Sequence, residues 1–339
     1  MKKAALALES GQNPGNRTFA FKSGFLQQFL AFGSLIALVV VFSLASENFF
    51  RFSNIVGILL STAVIGVLAL GATFVIITGG IDLSVGTVMT LSAVMTGVSI
   101  TFWGTPIWIG LIVGVLTGAA CGLVSGYAVS RLKIPPFIAT LAMMMVAKGL
   151  ALVISGTKPV YFTKTPGFSE IALGSVLGDL IPGFDIPNAV LVFFLAAIVG
   201  SVVLTRTLVG RYNFAIGSNE EATRLSGVNV NLWKVVIYTI TGAFTGIAGI
   251  LIASRLNSAQ PALGQGYELE AIAAVVIGGT SLSGGKGTIV GTVIGALIMS
   301  VLTNGLRILS VPQEWQTVVV GIVIFLAVYV DIIRRRKTA

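Results

Sequence analysis

Apolar runs of about 20 residues recur along the chain, separated by short polar or Gly- and Pro-bearing segments. At 1.5 Å of helical rise per residue, a run of that length crosses the hydrocarbon core of a bilayer. The pattern predicts ten spans, near 27–46, 55–78, 84–103, 107–130, 136–155, 188–205, 235–254, 268–283, 288–306 and 315–332. The expected fold class is therefore an all-α integral membrane protein, a polytopic bundle forming one transmembrane domain over 25–333. Residues 1–24 carry Lys2 and Lys3 but are too polar for the apolar core of a signal peptide, so they read as a cytosolic tail. The basic segment 334–339 reads as a second one.

Two places interrupt the apolar pattern in the same way. "GGIDLSVG" at 79–86 and "GGTSLSGG" at 278–285 share the skeleton Gly-Gly-x-x-Leu-Ser-x-Gly. Glycine pairs beside small polar residues suit broken or re-entrant helices, whose freed backbone groups must meet protein or water. Broken segments are expected near 79–86 and 278–287, in two halves of an internal repeat. A different glycine pattern, Gly110, Gly114, Gly118, Gly122 and Gly126, follows the i±4 ridge of the fourth span. That spacing lets another helix approach closely and predicts tight bundle packing.

Composition sharpens the membrane reading. Hydrophobic residues make up 55% and charged residues 10%, against about 25% charged in soluble domains, and the mean hydropathy is +0.98. With the N-terminus inside, fifteen of the 21 Lys and Arg fall in inner segments and five in outer ones, with Lys148 inside a span. This bias predicts that both termini are cytoplasmic, and it accounts for the net charge of +9 without nucleic acid. There is no histidine and one cysteine, Cys121. The commonest general base and metal ligand is thus absent, and the chain is expected to be no enzyme and to hold no metal. "GGTSLSGGKG" imitates a Walker A loop but fails it, with Thr280 where Gly is required and Gly287 where Ser or Thr is.

Two connections are long enough to carry function. The outer one, 156–187, is rich in Gly and Pro. The inner one, 206–234, contains "GRYNFAIGSNEEATRLSGVNVN". Its middle predicts a short helix with Asn219 as N-cap, Glu220 and Glu221 in the first turn and Gly227 closing it. Such a helix serves either as a linker or as a docking element.

"GGIDLSVG", "GRYNFAIGSNEEATRLSGVNV" and "SAQPALGQGYELEAIAAVVIGGTSLSGGKGTIVGTVIGAL", within a ten-span layout, resemble the permease subunits of bacterial ATP-binding cassette sugar importers. The family is that of ribose, xylose, arabinose and galactose permeases. The blocks "NEEATRLSGVNV" and "GYELEAIAAVV" are most similar to its ribose branch. The resemblance runs from about Phe49 to Asp331. It implies the importer permease fold, location in the bacterial inner membrane, and a division of labour. A periplasmic binding protein delivers a ribose-like monosaccharide, two permease copies form the pathway, and a cytosolic ATPase uses ATP and Mg, so this chain binds no cofactor itself. In the family, the inner loop inserts into a groove of the ATPase. That role is carried to Gly217, Asn219, Glu220, Glu221, Ala222, Arg224 and Gly227, with Arg224 available to an ATPase carboxylate.

Charges within spans carry the remaining candidates. Asp82 is the only charged residue between Ile55 and Trp103. It reads as a cap of the third span accepting from Ser84 or Val85, then as an inner gate, then as a sugar ligand. Ser281 at the matching place in the second copy favours the cap over a proton carrier. Lys148 reads as snorkelling outward in preference to pairing with a carboxylate. Glu268 and Glu270 open the eighth span at the outer mouth. Thr78, Ser84, Gln265 and Asn304 are expected near a pathway that is small-polar, because sugar hydroxyls match neutral donors and acceptors. The competing reading is a secondary transporter that couples to protons through Asp82 or Glu268, and a third is a membrane scaffold for a cytosolic ATPase.

Overall fold

A computed structural model describes residues 16–336 apart from 182 and 184. Lys2, Lys3 and Lys337 of the two expected tails lie outside the described residues. The chain forms α1 (Asn16–Ala45), α2 (Phe52–Ile77), α3 (Val85–Thr101), α4 (Ile107–Ser130) and α5 (Pro136–Ser155). β1 (Val160–Tyr161), α6 (Glu170–Leu173) and α7 (Val176–Leu180) follow, then α8 (Asn188–Arg206), α9 (Leu208–Ser218) and α10 (Glu220–Leu225). The last part comprises α11 (Val230–Leu256), β2 (Ser258–Ala259), α12 (Tyr267–Ile277), α13 (Ile289–Ile308) and α14 (Gln313–Arg336).

Eight of these helices are long and apolar enough to cross a membrane, and α3 follows with 17 residues. The protein is a polytopic all-α membrane protein, as the hydropathy pattern predicts. The expected eighth span, 268–283, is only half a span. α12 has 11 residues, which at 1.5 Å each reach about 16 Å, roughly half a bilayer core. Glycines set both limits. Gly264 and Gly266, at φ +96° and +97°, keep the chain irregular before α12, and Gly279 at φ +92° ends it.

α2 and α11 are the most buried long helices, and α1 and α14 lie at the periphery. The glycine row of α4 serves two neighbours. A Cβ on Gly110 would overlap Ile100 of α3, whereas one on Gly118 or Gly122 would overlap the carbonyl oxygens of Gly242 or Tyr238 in α11. α13 meets α12 by the same means, since Cβ atoms on Gly291 and Gly295 would overlap the carbonyls of Gly278 and Ala274. These pairs therefore touch backbone to backbone.

The connection 156–187 is anchored to the end of α11. β1 pairs antiparallel with β2 through Val160–Ala259 and Tyr161–Ser258. Ser254 Oγ donates to the Phe168 carbonyl at 2.7 Å and accepts from Ala172 N–H at 2.9 Å. Lys148 forms no ion pair among the described residues. Its Nζ reaches sideways to Gln265 Oε1 at 3.4 Å, because the irregular segment before α12 brings a neutral amide alongside α5.

Replacing Gly118 with Leu sets a side chain against main chain that cannot yield. Overpacking costs about 1–3 kcal/mol where side chains can adjust, so the melting temperature in detergent is expected to fall by roughly 5 °C or more. Gly33→Leu, on a part of α1 with open space beside it, is expected to leave it unchanged. Equal melting temperatures would refute the contact.

Candidate functional site

The two Gly-Gly breaks close their helices identically. At the end of α2, Gly79 N–H donates to the Ile76 carbonyl at 2.9 Å and Gly80 N–H to Val75 at 3.2 Å, with Gly79 at φ +79°. At the end of α12, Gly279 N–H donates to Val276 at 2.9 Å and Thr280 N–H to Val275 at 3.1 Å. Both are Schellman closures, which need a left-handed residue just past the helix. This geometry matches Gly79 with Gly279 and corrects the sequence alignment by one residue. Leu282, not Ser281, stands where Asp82 stands in the first copy, so the serine match does not bear on the role of Asp82. The letters misled because the whole skeleton fits only with Gly278 against Gly79, whereas the backbone conformation matches Gly279 with Gly79.

Beyond the breaks the copies diverge. Residues 80–84 run without regular structure into α3, while the second copy folds back as a turn in which Ser281 N–H donates to the Lys286 carbonyl at 3.0 Å. The turn meets the first break directly, for Gly285 N–H donates to the carbonyl of Ile77, the last residue of α2, at 2.8 Å. Gly217 of α9 is the third member of this junction. A Cβ there would overlap the Ile77 oxygen and lie 2.6 Å from Gly285 N. Gly284, at φ +83°, is equally confined by Gly217 O and Gly79 N, each 2.8 Å from its would-be Cβ.

Two residues on from Gly217 the short expected helix begins. Asn219 Oδ1 accepts from Ala222 N–H at 2.9 Å, the N-cap bond. Glu220 and Glu221 occupy the first turn, and Gly227 at φ +85° closes the helix with its N–H on the Arg224 carbonyl at 3.0 Å. Arg224 does not stand free. It pairs with Glu220 at 2.9 Å, and Glu220 also holds Lys234 of α11 at 2.6 Å. The residue that sequence reasoning missed is Leu225, which is 83% exposed at the tip of α10. A large apolar side chain inside the polar run 217–227 was the available signal.

Asp82 is buried, and its Oδ1 accepts from both the N–H (2.8 Å) and the hydroxyl (2.6 Å) of Ser84, at the start of α3. This is an Asx turn leading into α3, whose own N-cap residue Ser84 makes no side-chain cap bond, so Asp82 holds the turn before the helix and does not cap it. Thr78 is the C-cap residue of α2, and its hydroxyl donates to the Val75 carbonyl at 2.6 Å. Glu268 is turned inward from the expected mouth. Both its oxygens accept from Gly266 N–H, at 3.0 and 3.1 Å, and a Cβ on Gly86 of α3 would overlap one of them.

A cavity of about 580 Å³ opens between α2, α11, α12, α13 and α14. Its lining includes the last turns of α11 and α13, so it lies toward the face opposite α9 and α10. Gln265 and Asn304 line it, as does Glu270, whereas Thr78, Asp82, Ser84 and Glu268 do not. Sequence reasoning passed over Arg255, Tyr267, Arg307 and Gln316, which also line it. The two arginines had counted only as outer-loop charges. Their place in final helical turns, at the ends of apolar runs, was the visible signal.

The model of a protein family described as the permease component of branched-chain amino acid transport systems matches residues 54–328. The ribose import permease protein of Escherichia coli K12 is 42% identical over 317 residues, covering 92% of this chain and 95% of the relative. That of Bacillus subtilis 168 is 43% identical, covering 93% and 95%. The xylose transport system permease protein of Haemophilus influenzae is 34% identical, covering 94% and 100%. No solved structure matches.

If Asp82 acts as a hydrogen-bond acceptor, Asp82→Asn keeps the bond to Ser84. Asp82→Ala loses it, at about 1 kcal/mol. Melting in detergent is expected to rank wild type and Asn together above Ala. Asn falling as far as Ala would show that the charge, and not the acceptor, holds the turn.

Proposed function

The chain belongs to the family of bacterial transport-system permease components, in its sugar-import branch, and on that premise we propose that it is the membrane subunit of an ATP-binding cassette sugar importer. It sits in the inner membrane with both termini in the cytoplasm. A periplasmic binding protein hands it a monosaccharide on the side of the cavity, and a separate cytosolic ATPase with ATP and Mg drives release. Two copies of the chain form the pathway. The sugar is ribose or a related pentose, on the strength of the names borne by relatives more than 40% identical.

The observation that carries this reading is the seating of α10. A helix of six residues has no stability of its own, yet this one is capped at both ends and held to α11 through the Glu220–Lys234 pair. It behaves as part of the bundle while presenting Glu221 and Leu225 outward. Through Gly217 it abuts both breaks, so force applied by an ATPase reaches the ends of α2 and α12 together. Asn219, Glu220, Ala222, Arg224 and Gly227 build the lever, and Glu221 and Leu225 form its contact surface. The proton-coupled reading has less behind it, because Asp82 and Glu268 both spend carboxylate oxygens on neighbouring backbone N–H groups.

Leu225→Asp places a charge at the centre of that surface without touching the bundle. Co-expressed ATPase is expected to be lost from the purified permease, with the permease's own melting temperature unchanged. Glu220→Lys combined with Arg224→Glu breaks the tie to Lys234 and is expected to uncouple or dissociate the ATPase. Retention of ATPase and of import in both variants would contradict the docking role.

A further inference from the structure

We propose that the cavity is a binding site, within this chain, for a neutral polyhydroxylated molecule of monosaccharide size, so that the permease selects cargo itself and does not only pass on what a soluble protein delivers. The inference rests on the import reading and deepens it.

Three charged side chains, Arg255, Glu270 and Arg307, line the one space. Among the described residues the salt bridges are those of Glu220 alone; Glu270 and Arg307 interact through space, and Arg255 donates to Ser61 Oγ at 3.4 Å. Charges are expensive in a membrane domain and persist where they face a cavity that uses them. The wall also carries neutral polar side chains, with Ser300, Asn304 and Gln316 among the residues that line it. The amide nitrogens of the last two are engaged, with Asn54 Oδ1 at 2.9 Å and the Val311 carbonyl at 2.7 Å.

The mixture of groups identifies the ligand class. Guanidinium groups only donate and an ionised carboxylate only accepts. A hydroxyl does both, so several hydroxyls on one small ring can answer Arg255, Arg307 and Glu270 at once. An anion would meet Glu270, a cation would meet two arginines, and a hydrocarbon would leave every polar group unsatisfied. Ile65, Ile252, Val320 and the ring of Tyr267 supply the apolar faces that a sugar ring stacks upon. The volume of about 580 Å³ falls within the usual range of small-molecule sites, roughly 300–1,000 Å³. The start of a discontinuous helix, α12, at its edge is a common feature of transporter sites.

The test uses the purified permease–ATPase complex without binding protein, in equilibrium dialysis against radiolabelled D-ribose, with import into proteoliposomes measured in parallel on the complete transporter. Saturable binding is expected. Glu270→Gln and Asn304→Ala are each expected to weaken it about fivefold, the effect of one hydrogen bond, and to shift the preference between D-ribose and D-xylose during import. Ser300→Ala, the smallest change in the wall, is expected to move binding the same way if either larger substitution fails to assemble. Absence of saturable binding, binding indifferent to all three substitutions, or displacement by D-ribonate in preference to D-xylose would overturn the proposal. Import that proceeds normally alongside any of those results leaves the transport reading standing, whereas saturable binding without import refutes that reading and retains the site.

Discussion

A helix interrupted inside a membrane frees backbone N–H and C=O groups that lipid cannot satisfy, and the protein's architecture follows from how it meets that demand. α2 is a full span and α12 only half of one, yet both end beside the inner loop, and each closes with the same pair of bonds around a left-handed glycine. The Ile77 carbonyl at the end of α2 is taken up by Gly285 of the other break. A third backbone, at Gly217, fits only because none of the participants carries a side chain in the gap. The breaks and the inner loop therefore meet as one packed unit. A lever seated on that unit moves two helix ends at once, which suits a protein that must reshape its bundle without unfolding it.

Much of this was legible in the sequence, and the parts that were not share a cause. Asn219 as N-cap, Gly227 as terminator and Asp82 bonded to Ser84 follow from local rules that act within a few residues. Hydropathy placed the long helices for the same reason. The echo between the breaks was visible, but its register was not, because the letters match with Gly278 against Gly79 while it is Gly279 that takes the left-handed φ. α12 looked like a full span because the expected helix runs from Glu268 on into "GGTSLS" to reach the length of a span. Its shortness depends on the conformation of Gly264, Gly266 and Gly279.

Residues that act across the fold were the hardest to read. Arg255, Glu270, Arg307 and Gln316 are far apart in the chain and share one cavity. Gln265 and Asn304 were reachable as small-polar residues in apolar surroundings, whereas the arginines were absorbed by a charge count that has no depth coordinate. Arg224 shows the converse. Its charge suggested a free partner for another chain, yet Glu220 lies one turn away on the same helix face and holds it.

The account stands on the junction at Gly217 as the mechanical link between the inner loop and the pathway. The most direct measurement is sugar imported per ATP hydrolysed by the complete transporter carrying Gly217→Ala. The added methyl overlaps the Ile77 carbonyl and leaves the outward face of α10 untouched. The account predicts that the assembled complex continues to hydrolyse ATP while import falls to background. Import per ATP at the wild-type level would contradict it.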